Sequence, residues 1–130
     1  MGNPNDVEKT IVVRWQDIED EELRPGVRRR AIGNDNVLLV MNECQPGMQL
    51  RPHSHDFDQL ALILGGEGVF HVGGVPHTVS AGWAMLIPAG VEHYFEPTGE
   101  GAAFNLDVFA PPRDDYRYLL DWMRQPSDAT

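Results

Sequence analysis

Short runs of apolar residues, separated by turns rich in glycine and proline, follow one another from residue 11 to residue 109. Apolar runs of about four to eight residues between such turns are typical of β-strands. The pattern predicts strands at residues 11–15, 27–32, 37–43, 59–64, 69–72, 76–79, 83–87, 91–95 and 102–109. This many short strands joined by turns indicate an all-β fold, either a double-sheet jelly roll or a small barrel.

Two local patterns make the strand prediction more specific. The pair Gly73-Gly74 separates two of the strands and can take the positive φ angles that a tight hairpin turn requires. In the strand at residues 59–64, alternation places Gln59 and every second residue after it on one face, and leucines on the other.

A helical pattern occurs near the C-terminus. After Pro111-Pro112, apolar residues recur at positions i, i+3, i+4 and i+7, namely Tyr116, Leu119, Leu120 and Met123. This spacing predicts a short C-terminal helix that packs outside the sheets. A chain of this length suits one domain, so we expect a disordered lead-in at residues 1–10, one domain at residues 11–124 and a tail at residues 125–130.

Charge and cysteine content narrow the function classes. A net charge of -10 repels nucleic acid and anionic membrane surfaces, so neither is expected as a partner. Cys44 is the only cysteine, which rules out an intramolecular disulfide, and the longest apolar run, residues 60–64, is too short to cross a bilayer. We therefore expect a cytoplasmic protein.

Two charged clusters are interpreted as surface features. Residues 17–22 form an acidic run, typical of a solvated turn or a single helical turn. Three consecutive arginines, residues 28–30, lie in a predicted strand, where alternate side chains point to opposite faces. We interpret them as surface arginines paired with nearby acidic residues and not as a basic patch.

Candidate metal ligands lie in residues 48–55, which are predicted to be extended. Alternation along this segment places four polar side chains on one face: Gln49, Arg51, His53 and His55. Two histidines separated by one residue on a strand point the same way and can bind one ion together. Neutral imidazole is a preferred ligand of divalent transition metals. Histidines with ordinary hydrogen bonds are the alternative interpretation.

The spacing around these histidines follows two motifs. They read Gly47-x5-His53-x-His55-x3-Gln59-x6-Gly66 and Gly82-x5-Pro88-x-Gly90-x2-His93. Both resemble the two motifs of the cupin superfamily, which implies a double-stranded β-helix, or jelly-roll barrel, that binds one divalent metal ion such as Zn, Ni, Mn, Fe or Co. Carried over from that family, the metal ligands are His53, His55, Gln59 and His93.

Two positions depart from the cupin motifs. Gln59 stands where Glu is usual, and Pro97 stands where Asn is usual. Glutamine offers a carbonyl oxygen but no negative charge, so four neutral ligands leave a bound divalent ion with its full charge. This favours Lewis-acid isomerase or lyase chemistry over oxidation. A hydrogen-bonded amide without metal contact is the alternative for Gln59.

A second group of candidates lies in the last predicted strand. Asn105, Asp107 and Phe109 alternate on one face, and Arg113 follows them. If that face looks into the barrel, Asp107 can act as a general acid or base, with Asn105 and Phe109 beside the substrate. Arg113 and Arg51 can then bind a substrate carboxylate through their bidentate guanidinium groups. A surface pair of Asp107 and Arg113 is the alternative interpretation.

The same segment supports a narrower resemblance. Residues 106–116, together with residues 27–32, are similar to the small KdgF-like cupins of pectin and alginate breakdown, and the similarity spans roughly residues 15–116. In that family the enzyme linearises 4,5-unsaturated uronates, and an Asp, a Phe and an Arg of this segment line the active site. The matching residues here are Asp107, Phe109 and Arg113.

This resemblance implies a small metal-dependent enzyme that converts a 4,5-unsaturated uronate into a linear keto-deoxyuronate by Lewis-acid and acid/base catalysis. The substrate is expected to be a small carboxylated molecule. The alternatives are a metal-dependent dioxygenase or oxidase of a small organic substrate, a non-catalytic small-molecule-binding module, and a metal-free sugar epimerase or cyclase. Because cupins commonly pair, we expect a homodimer in which residues 11–15 dock on the partner.

Overall fold

The computed structural model describes residues 6–112 of the chain, which contain nine β-strands and two short 3-10 helices. The helices are Asp6–Lys9 and Trp15–Asp17; the strands are β1 Glu21–Arg24, β2 Val27–Gly33, β3 Leu38–Cys44, β4 Gln59–Gly65, β5 Glu67–Val72, β6 Val75–Ser80, β7 Ala84–Ile87, β8 His93–Pro97 and β9 Ala103–Phe109. Neither helix in residues 6–112 is long and apolar enough to cross a membrane. The predicted C-terminal helix, the predicted tail and Arg113 lie outside the described residues.

The strands form two antiparallel sheets that share a core. One sheet has six strands in the order β1-β2-β3-β9-β4-β7, and the other has three in the order β6-β5-β8. The main core cluster draws side chains from both sheets: Cys44, Ala61, Ile63, Phe70, Val79, Ile87, Phe95 and Ala103. The prediction of an all-β jelly roll is therefore confirmed.

The two local strand patterns take the predicted form. Along β4, Gln59 and the residues two and four positions after it are buried, while the leucines between them are partly or fully exposed. β5 and β6 form a hairpin whose turn, Gly73-Gly74, has φ angles of 57° and 82°. Positive φ is a conformation that glycine adopts without the steric cost of a Cβ atom.

The strand predicted at residues 11–15 is wrong for a single chain. Residues 11–14 belong to no strand, and Trp15 begins a 3-10 helix. The β-branched residues there favour an extended backbone, but no strand of the described chain lies beside them, and Val12 is 91% exposed. The helix Asp6–Lys9 lies within the expected disordered lead-in. The homodimer remains a prediction.

The acidic run at residues 17–22, predicted as a solvated turn or a single helical turn, begins at the last residue of the helix Trp15–Asp17 but contributes its end to an edge strand. Its last residues, Glu21 and Glu22, begin β1, which pairs with β2. Glu21 lies opposite Arg29 in this pairing, and Arg29 Nε donates a hydrogen bond to Glu21 Oε1 at 2.7 Å. The strand thus depends on a partner on the next strand, a contact that local sequence does not reveal.

The strand register aligns polar side chains across the six-stranded sheet. Neighbouring positions on β1, β2, β3 and β9 are Glu21, Arg29, Asn42 and Asn105. Arg29 is only 8% exposed, so its interpretation as a surface arginine is wrong. Arg28 and Arg30 lie on the other face of β2 and pair with Asp20 at 2.6 and 3.6 Å, as predicted. The aligned residues give the interior a polar wall.

Candidate metal centre and adjoining cavity

Backbone hydrogen bonds bring the two histidine motifs together. His53 and His93 form an isolated antiparallel bridge, in which His53 N donates to His93 O at 3.1 Å and His93 N donates to His53 O at 2.9 Å. Gly90, with a φ of 82°, donates its N–H to His55 O at 2.7 Å. Both segments are thereby fixed side by side, because each motif histidine is tied to the other motif through the main chain.

Each imidazole is oriented by a main-chain carbonyl two residues away. The Nδ1 atoms of His53, His55 and His93 lie 2.9, 3.1 and 2.9 Å from the carbonyl oxygens of Arg51, Phe57 and Val91. A carbonyl oxygen only accepts hydrogen bonds, so each Nδ1 carries the proton. In the neutral ring, Nε2 then holds a free lone pair, which is the form that binds metals.

Gln59 bridges the imidazoles and Asp107. Its Oε1 lies 2.9 Å from His55 Nε2 and 3.0 Å from His93 Nε2, while its Nε2 donates to Asp107 Oδ1 at 2.8 Å. The contact with Asp107 fixes the orientation of the amide, because a carboxylate accepts from the nitrogen and not from the oxygen. The Gln59 carbonyl therefore faces the histidines.

This donor set fits a divalent cation. One ring nitrogen of each of the three histidines lies within 4.8 Å of those of the others. Burial lowers the pKa of His93, which keeps that ring neutral, so its Nε2 and the Gln59 oxygen present lone pairs to each other. A shared cation relieves this repulsion, and ligands about 2.1 Å from one ion lie about 3.0–3.4 Å apart. The residues therefore fit the ion implied by the sequence motifs.

Asp107 lies beside this cluster and is held by three side-chain amides. Its Oδ1 accepts from Gln59 and from Asn105 Nδ2 at 2.9 Å, and its Oδ2 accepts from Asn42 Nδ2 at 3.0 Å. Burial raises the pKa of Asp107 to about 6, and the three amide donors oppose that rise. Asn105 Oδ1 is buried and has no hydrogen-bond partner in the described chain. One acceptor is thus left on the wall beside Asp107.

A cavity of about 110 Å³ adjoins the histidine cluster. Polar residues on its wall include His53, His93, Gln59, Asn42, Asn105 and Asp107; apolar residues include Phe70, Phe95 and Phe109. Three arginines, Arg24, Arg29 and Arg51, also line it. The cavity therefore combines a buried carboxylate, a candidate metal centre and three arginines.

Phe109 has a structural contact in addition to lining the cavity. Its ring meets Phe57 edge-on, with centroids 5.4 Å apart, and Phe57 stacks on His55 with centroids 3.8 Å apart. Aromatic pairs in these arrangements add about 0.5–1.5 kcal/mol beyond the area they bury. Phe109 therefore helps to position His55 through Phe57.

The structure brings together all the candidate residues that it describes. The four candidate ligands form one cluster, and Asp107, Asn105, Phe109 and Arg51 line the adjoining cavity. Sequence reasoning missed Arg24, Arg29, Asn42 and Phe57. Arg29 and Asn42 lie opposite each other in adjacent strands, so only the register of β2 with β3 reveals their proximity.

Comparison with known proteins identifies the segment that carries this site. The Cupin_2 family model, for the cupin domain, matches residues 40–109, slightly more than half of the chain and including all four candidate ligands. Dimethylsulfoniopropionate lyase DddW of Ruegeria pomeroyi is 41% identical over 69 residues, which cover 53% of this chain and 45% of the lyase. This chain therefore spans less than half of the length of that relative.

Solved structures share the fold. An RmlC-like cupin from Shewanella frigidimarina superposes with a TM-score of 0.71 at 24% identity, covering 80% of this chain and 93% of the other. KdgF from Halomonas sp. superposes with a TM-score of 0.70 at 23% identity, covering 77% of this chain and 92% of KdgF. At these identities the likeness establishes the architecture.

Proposed function

The chain belongs to the cupin domain family, and we propose that it is a metal-dependent enzyme of the isomerase or lyase type that acts on a small carboxylated substrate. The observation that carries this proposal is the placement of Gln59. One end of its amide faces His55 and His93, and the other end donates to Asp107. The Gln59 side chain therefore connects a candidate metal centre directly to a candidate proton-transfer group, Asp107.

Each residue of the site has a role in this proposal. His53, His55, Gln59 and His93 would hold a divalent ion, which when bound would polarise a substrate oxygen as a Lewis acid. Asp107 takes up a proton from the substrate and returns it at another atom, and its three amide contacts hold the carboxylate in place for that transfer.

The rest of the cavity wall positions the substrate. Arg51 pairs with the substrate carboxylate, and the unpartnered Asn105 Oδ1 accepts a hydrogen bond from a substrate hydroxyl. Phe109 forms part of the apolar wall. Arg113, which lies outside the described residues, is proposed as a second arginine for the carboxylate.

The substrate we propose is a cyclic 4,5-unsaturated uronate. Its anomeric hydroxyl loses a proton, the bond between the anomeric carbon and the ring oxygen breaks, and an aldehyde forms. The ring oxygen becomes an enol oxygen, and protonation of the neighbouring carbon gives the linear keto acid. No atom is gained or lost, so Asp107 alone can carry the transferred proton.

Loss of the double-bond ultraviolet absorbance of an unsaturated galacturonate tests this reaction. We expect rapid loss with the metal-loaded protein and at least about a hundredfold lower kcat for Asp107→Asn, as for removal of a general acid/base. Asp17→Asn is the matched control, because Asp17 is exposed and pairs with Arg14 on the surface. A wild-type rate equal to the uncatalysed rate would exclude this substrate.

A second candidate is β-elimination from a small carboxylate, favoured by the 41% identity to a lyase. In this reaction Asp107 takes the proton from the carbon next to the carboxylate, the bond from the β-carbon to the leaving group breaks, and a carbon–carbon double bond forms. Incubation with dimethylsulfoniopropionate would release acrylate and dimethyl sulfide. Detection of both products, without reaction of the uronate, would select the elimination.

A further inference from the structure

We propose that Arg24, Arg29 and Arg51 form an anion subsite that holds the substrate carboxylate within the cavity independently of the metal centre. The three arginines bind the carboxylate group of the substrate, and the identity of that substrate rests on the proposed function. Arg24 and Arg29 thereby gain a binding role, which they share with Arg51.

Three different elements carry these arginines to one cavity. Arg24 is the last residue of β1, and its Nε donates to Gln49 O at 3.1 Å. Arg29 lies on the inner face of β2 and is held by Glu21. Arg51 precedes the first motif histidine, and its carbonyl oxygen accepts from His53 Nδ1. Arg51, in the subsite, thus lies two positions before His53, in the histidine cluster.

Their charges are unevenly compensated. Arg29 has the Glu21 carboxylate, with side-chain exposures of 9% and 21%. Within residues 6–112, neither Arg24 nor Arg51 forms an ion pair with a carboxylate. Burial lowers the pKa of Arg24, and the neighbouring Arg51 and Arg29 lower it further. Arg24 is half-buried, and like charges beside a half-buried cation are unfavourable unless an anion joins them.

The other described acidic groups on the wall, Cys44 and Asp107, do not supply that anion. Burial raises the pKa of Cys44 to about 12, so the thiol is neutral at ordinary pH. Asp107 is occupied by its three amide donors. The overall charge of the chain is -10, which makes a pocket with three arginines a local exception. Among the residues that the structure describes, none on the wall supplies this charge to Arg24 or Arg51, so we assign it to a bound ligand.

A carboxylate matches this geometry. The guanidinium group presents a planar pair of N–H donors that a carboxylate accepts bidentately, and a cavity of about 110 Å³ suits a small molecule. With its carboxylate on the arginines, the substrate turns a different oxygen towards His53 and His93. Removal of the metal should then abolish turnover and leave carboxylate binding in place.

The test uses metal-free protein, propionate as the anion and propionamide as the uncharged probe, at constant ionic strength. Binding is followed through the arginine Nε–H signals in nuclear magnetic resonance. We expect saturable shifts with propionate and none with propionamide. Arg24→Met and Arg51→Met should each weaken propionate binding about tenfold or more, as for loss of a charged hydrogen bond, and Arg24→Lys should weaken it less.

Arg14→Met is the matched control, because Arg14 is an exposed arginine paired with Asp17 outside the cavity. Retained metal binding by Arg24→Met would show that the variant is folded, and Arg51, which is exposed, can be replaced without loss of packing. The proposal is overturned if metal-free wild type does not bind propionate, or if Arg24→Met and Arg51→Met bind it as wild type does.

The same variants separate this proposal from the proposed function. If propionate binds as expected but neither the uronate nor dimethylsulfoniopropionate is turned over, the subsite stands and the proposed function fails. If the wild type is active and the KM of Arg24→Met and Arg51→Met is unchanged, the function stands and the subsite fails. An increase in KM with little change in kcat supports both, because it reports lost binding shared by the ground and transition states.

Discussion

Replacement of Gln59 by glutamate restores the residue that is usual in cupin motifs, yet we expect it to destabilise the metal-free protein. The reason is the neighbour of Gln59. Its Nε2 donates to Asp107 Oδ1 at 2.8 Å, so Gln59→Glu exchanges a donor for a carboxylate oxygen at the same place. Two carboxylates then face each other in a largely buried site.

The magnitude follows from two contributions. A hydrogen bond between an amide and a charged acceptor is worth about 1.5–3 kcal/mol, and this contribution is lost. Two unit charges at the observed contact distance repel by about 6 kcal/mol at an effective dielectric constant of about 20, although proton uptake or side-chain rotation relieves much of this. We therefore expect the free energy of unfolding to fall by at least about 3 kcal/mol at pH 8.

Denaturant unfolding of chelator-treated protein at pH 8 measures this change. The matched control is Gln45→Glu, because Gln45 Nε2 also donates to a carboxylate, Glu43 Oε2, at 3.2 Å, but on the exposed surface. The control should change stability by less than about 0.5 kcal/mol. A bound divalent cation should reduce the penalty for Gln59→Glu. Equal losses in the two metal-free variants would refute the reasoning.

The remaining predictions concern pH, reactivity, packing and assembly. The folded-state pKa of Asp107, about 6, lies above the usual value of about 4. The free energy of unfolding of the metal-free protein should therefore fall as pH rises from about 4 to about 6. Denaturant titrations should show this dependence in wild type and not in Asp107→Asn. Cys44, with a pKa of about 12, should react with a thiol reagent at pH 8 only after unfolding; equally rapid labelling of native protein would contradict its burial. Gly66→Ala should lower the free energy of unfolding by at least about 2 kcal/mol, because the added Cβ would lie 2.6 Å from a main-chain atom of Ala103. Gly74→Ala should lower it by about 1 kcal/mol, because nothing lies within 4 Å of the Cβ added there. Light scattering should show a homodimer that dissociates when residues 2–15 are removed; an unchanged mass would argue against docking by residues 11–15.

Local sequence patterns were sufficient to predict most of the fold. Alternation correctly placed Gln59 and the leucines on opposite faces of β4, and the glycine pair identified the β5–β6 hairpin. These features depend on neighbouring residues, which is why the sequence reveals them. Residues 11–15 have the same local preference, but a strand needs a partner, and none is present in the described chain.

The candidate site likewise contains residues that the sequence predicts and residues that only the folded chain brings together. The motif spacing identified the histidines and Gln59, because motif residues lie close together in sequence or follow a defined turn. Arg29 was misinterpreted, since its burial depends on the pairing of β2 with both β1 and β3. The contact of Gln59 with Asp107 joins residues 48 positions apart, and only the folded chain shows it.

The measurement that tests the central claim most directly is the metal content of the purified protein, by elemental analysis after dialysis. We expect one equivalent of a divalent transition metal per chain, lost in His93→Ala, which removes a side chain that is 2% exposed and faces Gln59. His77→Ala is the matched control, because His77 is an exposed histidine on β6, and it should retain the metal. A protein that binds no divalent ion, or a His93→Ala variant that binds it as wild type does, would contradict the assignment of this centre.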